Sequence, residues 1–75
     1  MYIVIISDNA EGHVNFCELI TTVTETYEEA QQFVLNIINP MIEKDFTNTE
    51  DLENHLIEME DNNGFAPLFE IREVN

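Results

Sequence analysis

The sequence predicts a small α+β domain in which a three-stranded sheet carries two helices on one face, in the order ββααβ. Two patterns lead to this prediction. Short β-branched and aromatic segments lie near both ends of the chain, and two amphipathic segments with helix-capping signals lie between them. A chain of 75 residues has room for one domain, so residues 1–75 are expected to form a single acidic α+β domain.

The N-terminal residues predict a hairpin of two strands. Residues 2–6 are continuously apolar, which indicates a strand that is buried on both faces and central in its sheet. Residues 7–13 are polar and contain Gly12, and residues 14–24 form the second strand. Because the connection is short, we expect the two strands to be antiparallel.

The first helix is predicted to begin with a capping box, in which Thr26 caps the helix and Glu29 reaches back to it. Apolar residues then recur at helical spacing: Tyr27, Ala30, Phe33, Val34, Ile37, Ile38 and Met41. Pro40 interrupts this helix, yet Met41 stays in phase with the stripe. The pattern therefore favours a kink over a break, and the alternative is a new helix starting at Asn39-Pro40.

A second helix is predicted from about residue 50 to residue 60, with a narrow apolar stripe of Leu52, Leu56 and Met59. Its start has two candidate caps. Thr47 with Glu50 can form a capping box, and Thr49 is the alternative cap.

The C-terminal segment predicts a turn followed by the last strand. Residues 61–64, with the sequence Asp-Asn-Asn-Gly, are a strong helix stop and turn signal. Residues 65–74 then predict a strand. Pro67 must lie near its start or on an edge, because proline cannot donate to a strand ladder.

The sheet face away from the helices is predicted to be apolar. Some of Tyr2, Phe16, Ile20 and Phe69 are expected to be exposed on this outer face. That is more apolar area than a small monomer usually exposes, so the pattern predicts a homodimer formed through the outer face.

Charge restricts the kind of partner. The chain has 16 Asp and Glu against 2 Lys and Arg, a formal net charge of -14. Such a field repels nucleic acid and anionic lipid and attracts basic surfaces. We therefore expect a positively charged protein partner, without direct binding to nucleic acid or membrane. Hydrophobic residues make up 44% of the chain and recur periodically, which excludes a disordered acidic tail.

The same composition predicts a cytoplasmic protein. Cys17 is the one cysteine, so no intramolecular disulfide can form. The apolar run at the N-terminus is too short for a signal peptide, and no segment approaches membrane-spanning length.

The acidic concentration between residues 43 and 61 is the candidate partner-binding site. Apart from its apolar stripe, the second helix is largely acidic or amide, and carboxylates three or four residues apart lie about 5–6 Å from one another. Such a row can replace phosphates in a basic groove. Ile57 lies away from the stripe and resembles an interface hot spot with a charged rim. The predicted partner-binding residues are Glu50, Asp51, Glu53, Ile57, Glu58, Glu60 and Asp61.

Two alternatives stay open for this site. The acidic helix face can serve solubility only, as charge runs commonly do, although like charges at these spacings destabilise a helix and almost no lysine offsets them. Ile57 can instead be covered by the last strand or by the segment around Pro67.

Catalytic and cofactor chemistry is not predicted. The sequence contains no glycine-rich phosphate loop, GxSxG elbow or HExxH motif. His13, Cys17 and His55 are three potential metal ligands without a fourth, and the acidic field opposes the thiolate that a cysteine nucleophile requires. The segment around residues 59–70 departs from a calcium loop, because Met59 stands at the first ligand position. We therefore expect no enzyme, cofactor or metal site, with Cys17 as a small core residue.

The leading prediction is a non-enzymatic acidic binding protein that occupies a basic nucleic-acid-binding surface of another protein and competes there with DNA or RNA. In composition the chain resembles small phage and mobile-element proteins that imitate nucleic acid and inhibit restriction, CRISPR or repair enzymes. This resemblance is one of composition and assigns no role to any residue. The alternative is a small structural or regulatory interaction protein that dimerises through its outer sheet face, with acidity serving solubility only.

Overall fold

The predicted α+β class and the ββααβ order are confirmed. The structure, a computed structural model, describes the backbone of residues 1–9, 17–63 and 66–74, and the side chains of residues 1–7, 20–62 and 66–74. Its elements are β1 (Tyr2–Asn9), β2 (Cys17–Thr24), α1 (Tyr27–Ile42), α2 (Thr49–Asn63) and β3 (Leu68–Glu73).

The strands form one antiparallel sheet in the order β2-β1-β3, so β1 is central, as its apolar run predicted. β1 runs through Asn9 rather than ending at Ile6, because its ladder with β2 continues to the Asn9–Cys17 pair. β3 begins directly after Pro67, which agrees with the expected position of a residue that cannot donate to the ladder.

The core lies between one face of this sheet and the two helices. Val4 and Ile6 of β1 are fully buried, and β1 directs alternate side chains to this face. The helical residues buried with them are Ala30, Val34, Leu35 and Ile38 of α1 and Leu52 and Leu56 of α2. Burial of these apolar side chains is the main force holding both helices to the sheet.

The prediction for the outer face was wrong for Tyr2, Ile20 and Phe69, because all three pack against the core. The strand register explains the difference. Ile20 of β2 and Phe69 of β3 are both paired with Ile6, and directly paired residues in antiparallel strands share a face. The predicted position of Phe16 lies outside the described residues.

The outer face instead carries a mixed set of side chains. Ile3 is paired with Val23 and with Arg72, and these residues share the outer face. Val23 is 53% exposed, and Arg72 donates a hydrogen bond of 2.8 Å to Glu70 on the same strand. The outer face therefore mixes apolar, polar and charged side chains: Ile3, Ile5 and Ser7 of β1, Thr21 and Val23 of β2, and Leu68, Glu70 and Arg72 of β3.

α1 begins at the predicted capping box. The Thr26 hydroxyl accepts a hydrogen bond from the backbone N–H of Glu29, and the Glu29 carboxylate accepts one from the backbone N–H of Thr26, each 3.1 Å long. The helix continues without a break through Pro40 to Ile42, so the alternative of a second helix starting at Pro40 was wrong.

α1 ends in a left-handed residue that is not glycine. Glu43 has φ 57° and ψ 46°. The Lys44 N–H donates to the Asn39 carbonyl at 3.0 Å and the Glu43 N–H donates to the Pro40 carbonyl at 3.4 Å, which is the hydrogen-bond pattern of a Schellman motif. An L-residue with a side chain pays a steric cost in this conformation.

The buried face of α1 is rotated from the predicted stripe. Leu35, which the stripe did not include, is 6% exposed, whereas Tyr27 and Met41 are 44% and 38% exposed. α2 packs beside α1. At that contact the Gln31 side-chain amide donates a hydrogen bond of 3.1 Å to the Thr49 hydroxyl.

α2 begins at Thr49, and Asn48 takes the capping position. The Asn48 side-chain oxygen accepts a hydrogen bond of 2.8 Å from the Asp51 N–H, and the Asn48 amide donates one of 3.0 Å to the Asp51 carboxylate. Both predicted caps, Thr47 and Thr49, were therefore wrong. Thr49 is buried, and its hydroxyl is bonded to α1.

The end of α2 and the loop before it complete the fold. α2 continues to Asn63, through the first three of the four residues predicted to form a turn, and the fourth, Gly64, lies outside the described residues. In the loop between the helices, the Asn39 side chain donates to the Phe46 carbonyl at 3.0 Å and accepts from the Phe46 N–H at 3.1 Å. This pair of hydrogen bonds attaches the loop to α1 and satisfies backbone groups that a helix–helix connection would otherwise leave open.

Candidate partner-binding surface

The core contacts of α2 fix which of its side chains face solvent. Leu52 and Leu56 are 0% and 3% exposed, and Met59 packs against the core beside them. Because a helix turns by about 100° per residue, the remaining positions are directed outward in a defined order. The predicted partner-binding residues are all exposed: Glu50, Asp51, Glu53, Ile57, Glu58, Glu60 and Asp61.

These residues do not form a single surface, because helical spacing divides them between two flanks of α2. The first flank consists of Glu50, Glu53, Ile57, Glu60 and Asp61. Each of its acidic residues lies three, four or seven positions from Ile57, so all of them share one side of the helix. Asp51 and Glu58 are seven residues apart and belong to the second flank, about 110° away from Ile57 around the helix axis.

The first flank borders β3 and encloses a depression with a cavity volume of about 140 Å³. Its lining combines acidic and apolar side chains: Glu53, Leu56, Ile57 and Glu60 of α2 with Leu68 and Phe69 of β3. Ile57 is 52% exposed, and Leu68, at the start of an edge strand, is 48% exposed. The last strand therefore lies next to Ile57 without covering it.

One of the two residues of the second flank, Asp51, takes part in capping the helix. The Asp51 carboxylate and N–H both bond to Asn48 at the helix start. Asp51 also lies in the first turn, where its charge is favourable to the helix dipole. Asp51 is therefore explained by capping, and the first flank is the stronger candidate for a binding surface.

The negative charge is presented to solvent with little local compensation. Every Asp and Glu whose side chain the structure describes is exposed. Among these described side chains, Glu70 forms the one ion pair, at 2.8 Å from Arg72. Among the residues that the structure describes, the depression is lined by Glu53 and Glu60 and by no basic residue.

The other polar candidates do not assemble into a site. His55 is half-buried, and its ring centroid lies 5.2 Å from that of Phe46, so it packs between α2 and the loop before it. The predicted roles of His13 and Cys17 fall outside the described side chains. Where side chains are described, three or more His, Cys, Asp and Glu groups do not come together in a geometry that could hold a metal ion.

Comparison with known proteins gives no family or relative. No protein-family model, curated protein or solved structure matches this chain. Within the segments that the structure describes, neither helix has both the length and the apolar sequence needed to cross a bilayer. Because the comparisons found no match, the function must be inferred from the surface itself.

Leu56, Leu68 and Phe69 are the lining residues that the sequence did not assign to the site. Leu56 belongs to the predicted apolar stripe of α2, and Leu68 and Phe69 fall in the predicted last strand, which the sequence named only as an alternative cover of Ile57. The signal is the direction of Ile57, which points away from the buried stripe of α2 and towards a neighbouring element. The depression that Ile57 shares with Leu68 and Phe69 identifies that element as β3.

Proposed function

We propose that this chain is a non-enzymatic acidic binding protein that occupies a basic nucleic-acid-binding surface of another protein and competes there with DNA or RNA. The observation that carries the proposal is the first flank of α2. It presents exposed carboxylates around a half-exposed isoleucine, and none of the described side chains that line the depression beside it is basic.

The acidic residues at the end of α2 and the repulsion between neighbouring carboxylates reduce the stability of the helix, which supports a role in binding. Glu60 and Asp61 lie in the last turn, next to the negative end of the helix dipole, and that turn contains no basic residue. Glu50 and Glu53 are also three residues apart, where like charges repel by a few tenths of a kcal/mol. Solubility is achieved with interspersed charges of both signs, so it does not require this placement.

A basic groove built for phosphates is the complementary surface. Exposed carboxylates repeated along one side of a helix present negative charge at intervals of a few ångströms, as a nucleic-acid backbone does. The net charge of -14 attracts such a groove over a distance and speeds association. The same charge repels free nucleic acid, so the proposed partner is a protein. The proposed site of action is the cytoplasm, and the proposed role is an inhibitor of the phage or mobile-element type.

Affinity capture from the native cytoplasm tests the proposal when it is done with matched variants. The wild-type chain should retain a nucleic-acid-binding protein, and the Glu53→Lys/Glu60→Lys variant should not. Glu25→Lys, in the exposed turn before α1, should retain it, because this residue lies on a different part of the surface. Equal capture by all three proteins would contradict the proposal.

The alternative, a homodimer through the outer sheet face, rests on a different observation. Ile3 and Val23 are paired on that face, and Val23 is 53% exposed. Sedimentation in moderate salt tests this alternative: a dimer that Val23→Lys dissociates would support it, and a monomer at high micromolar concentration would exclude it.

A further inference from the structure

We propose that the depression between α2 and β3 receives one apolar side chain from a basic segment of the partner, flanked by Lys or Arg residues that pair with Glu53 and Glu60. This inference rests on the proposed function and specifies the chemistry of the partner. It adds an apolar anchor to a surface that would otherwise attract its partner by charge alone.

The depression has the size and lining for a single side chain. Leu56 and Phe69 are largely covered, and Ile57 and Leu68 are half-exposed. Its volume of about 140 Å³ is close to that of an engineered apolar cavity of about 150 Å³ that accommodates benzene. A leucine or phenylalanine side chain therefore matches it, and a phosphate group has no favourable contact there.

The two acidic residues at its margin set the positions of the flanking cations. Glu53 and Glu60 are separated by seven residues, which corresponds to about 10 Å along the helix axis. Ile57 lies between them. An apolar residue with one cation on each side, at a comparable spacing, would contact all three residues at once.

Charge complementarity selects this occupant over a second copy of the chain. A second copy carries the same net charge of -14 and supplies only Lys44 and Arg72 as basic side chains. Its approach to Glu53 and Glu60 would be repulsive. A basic segment gains from both the charge and the apolar contact, and polar residues around an apolar anchor are typical of binding hot spots.

Two synthetic peptides test this inference directly. The first has a central leucine with two Lys or Arg residues on each side, and the second has serine in place of the leucine. Fluorescence anisotropy at 150 mM salt should show tighter binding of the leucine peptide, by about tenfold or more, because burial of one leucine side chain is worth that difference. Equal affinities for the two peptides would overturn the inference while leaving the proposed function standing.

Matched variants of the chain locate the effect. Ile57→Gln and Leu68→Gln should each reduce the preference for the leucine peptide severalfold. Val23→Gln should leave it unchanged, because Val23 is equally exposed, at 53%, but lies on β2, at the opposite edge of the sheet from β3. If Ile57→Gln and Leu68→Gln both kept the full preference for the leucine peptide, the inference would be overturned.

Charge variants on one helix complete the test. Glu60→Lys should weaken binding of both peptides by about tenfold, whereas Glu58→Lys should have a much smaller effect, because the two positions are about 160° apart around α2. Equal effects of the two reversals would overturn the inference. Failure of both peptides to bind would also overturn it, whereas the proposed function is decided separately by capture of the native partner and displacement of its nucleic acid.

Discussion

Ile57 of α2 and Leu68 of β3 line the same depression, and each is about half exposed, at 52% and 48%. Their neighbours Leu56 and Phe69 face the core, so the depression is a continuation of the core to the surface. Two large apolar side chains at an acidic margin are not required by the packing of the helices, which Leu52 and Leu56 provide. Binding is therefore the role that we propose for this pair.

This assignment predicts that the exposed pair contributes little to stability. Ile57→Gln and Leu68→Gln should each change the free energy of unfolding by less than about 0.5 kcal/mol, as substitutions at exposed positions usually do. Leu52→Ala should reduce it by about 2–5 kcal/mol, because Leu52 is fully buried. Urea denaturation measures all three. A loss for Ile57→Gln as large as that for Leu52→Ala would identify Ile57 as a core residue.

The left-handed residue at the end of α1 predicts a stabilising substitution. Glu43→Gly should raise the free energy of unfolding by about 1 kcal/mol, because glycine adopts φ 57° without a side-chain clash. The substitution also removes a negative charge from the negative end of the helix dipole. Glu43→Gln separates the two effects, since it removes the charge and keeps the clash. Thermal denaturation measures both variants. A melting temperature of Glu43→Gly equal to or lower than that of Glu43→Gln would contradict the conformational argument.

The double hydrogen bond between Asn39 and the Phe46 backbone predicts a loss of stability when it is removed. Asn39→Ala should lower the free energy of unfolding by about 1–3 kcal/mol, because it leaves a partly buried N–H and carbonyl without their side-chain partner. Asn36→Ala is the matched control: its side chain bonds only to Gln32 on the exposed surface of α1. Chemical denaturation should show a change below about 0.5 kcal/mol for that control. Equal losses at the two positions would show that the Phe46 contact contributes nothing specific.

The exposed carboxylates predict that salt stabilises the folded chain. The melting temperature should rise between low ionic strength and about 0.5 M NaCl, because salt screens the repulsion among like charges. Glu60→Gln should raise the melting temperature at low salt and reduce its dependence on salt, since Glu60 lies near the negative end of α2. A melting temperature that fell with salt would show that ion pairs, rather than repulsion, dominate.

The fold could largely be predicted because its signals are local. The capping box of Thr26 and Glu29, the apolar stripe of α2 and the unbroken apolar run of β1 each determine an element. The caps and boundaries that were wrong depend on neighbours. Thr49 is the clearest case: its hydroxyl bonds to Gln31 of α1, and this leaves Asn48 to cap α2.

The faces of the sheet and the extent of the site could not be predicted because they depend on long-range register. The run from Tyr2 to Ile6 does not alternate, so it gives no indication of which face the helices cover. Pairing of Ile6 with Ile20 and Phe69 decides that question. The exposure of Ile57 was anticipated from its position on the helical wheel, whereas its association with Leu68 required the packing of β3.

Displacement of nucleic acid from the captured partner is the measurement that tests the proposed function most directly. A labelled DNA or RNA bound to that partner should be released by the wild-type chain in a titration followed by fluorescence anisotropy. Direct binding of the wild-type chain to the partner, measured without nucleic acid, should weaken as salt rises, because the interaction is between charges. Glu53→Lys/Glu60→Lys should fail to release it, and Glu25→Lys should release it as the wild type does. Nucleic acid that stays bound to the partner at saturating wild-type chain would contradict the account.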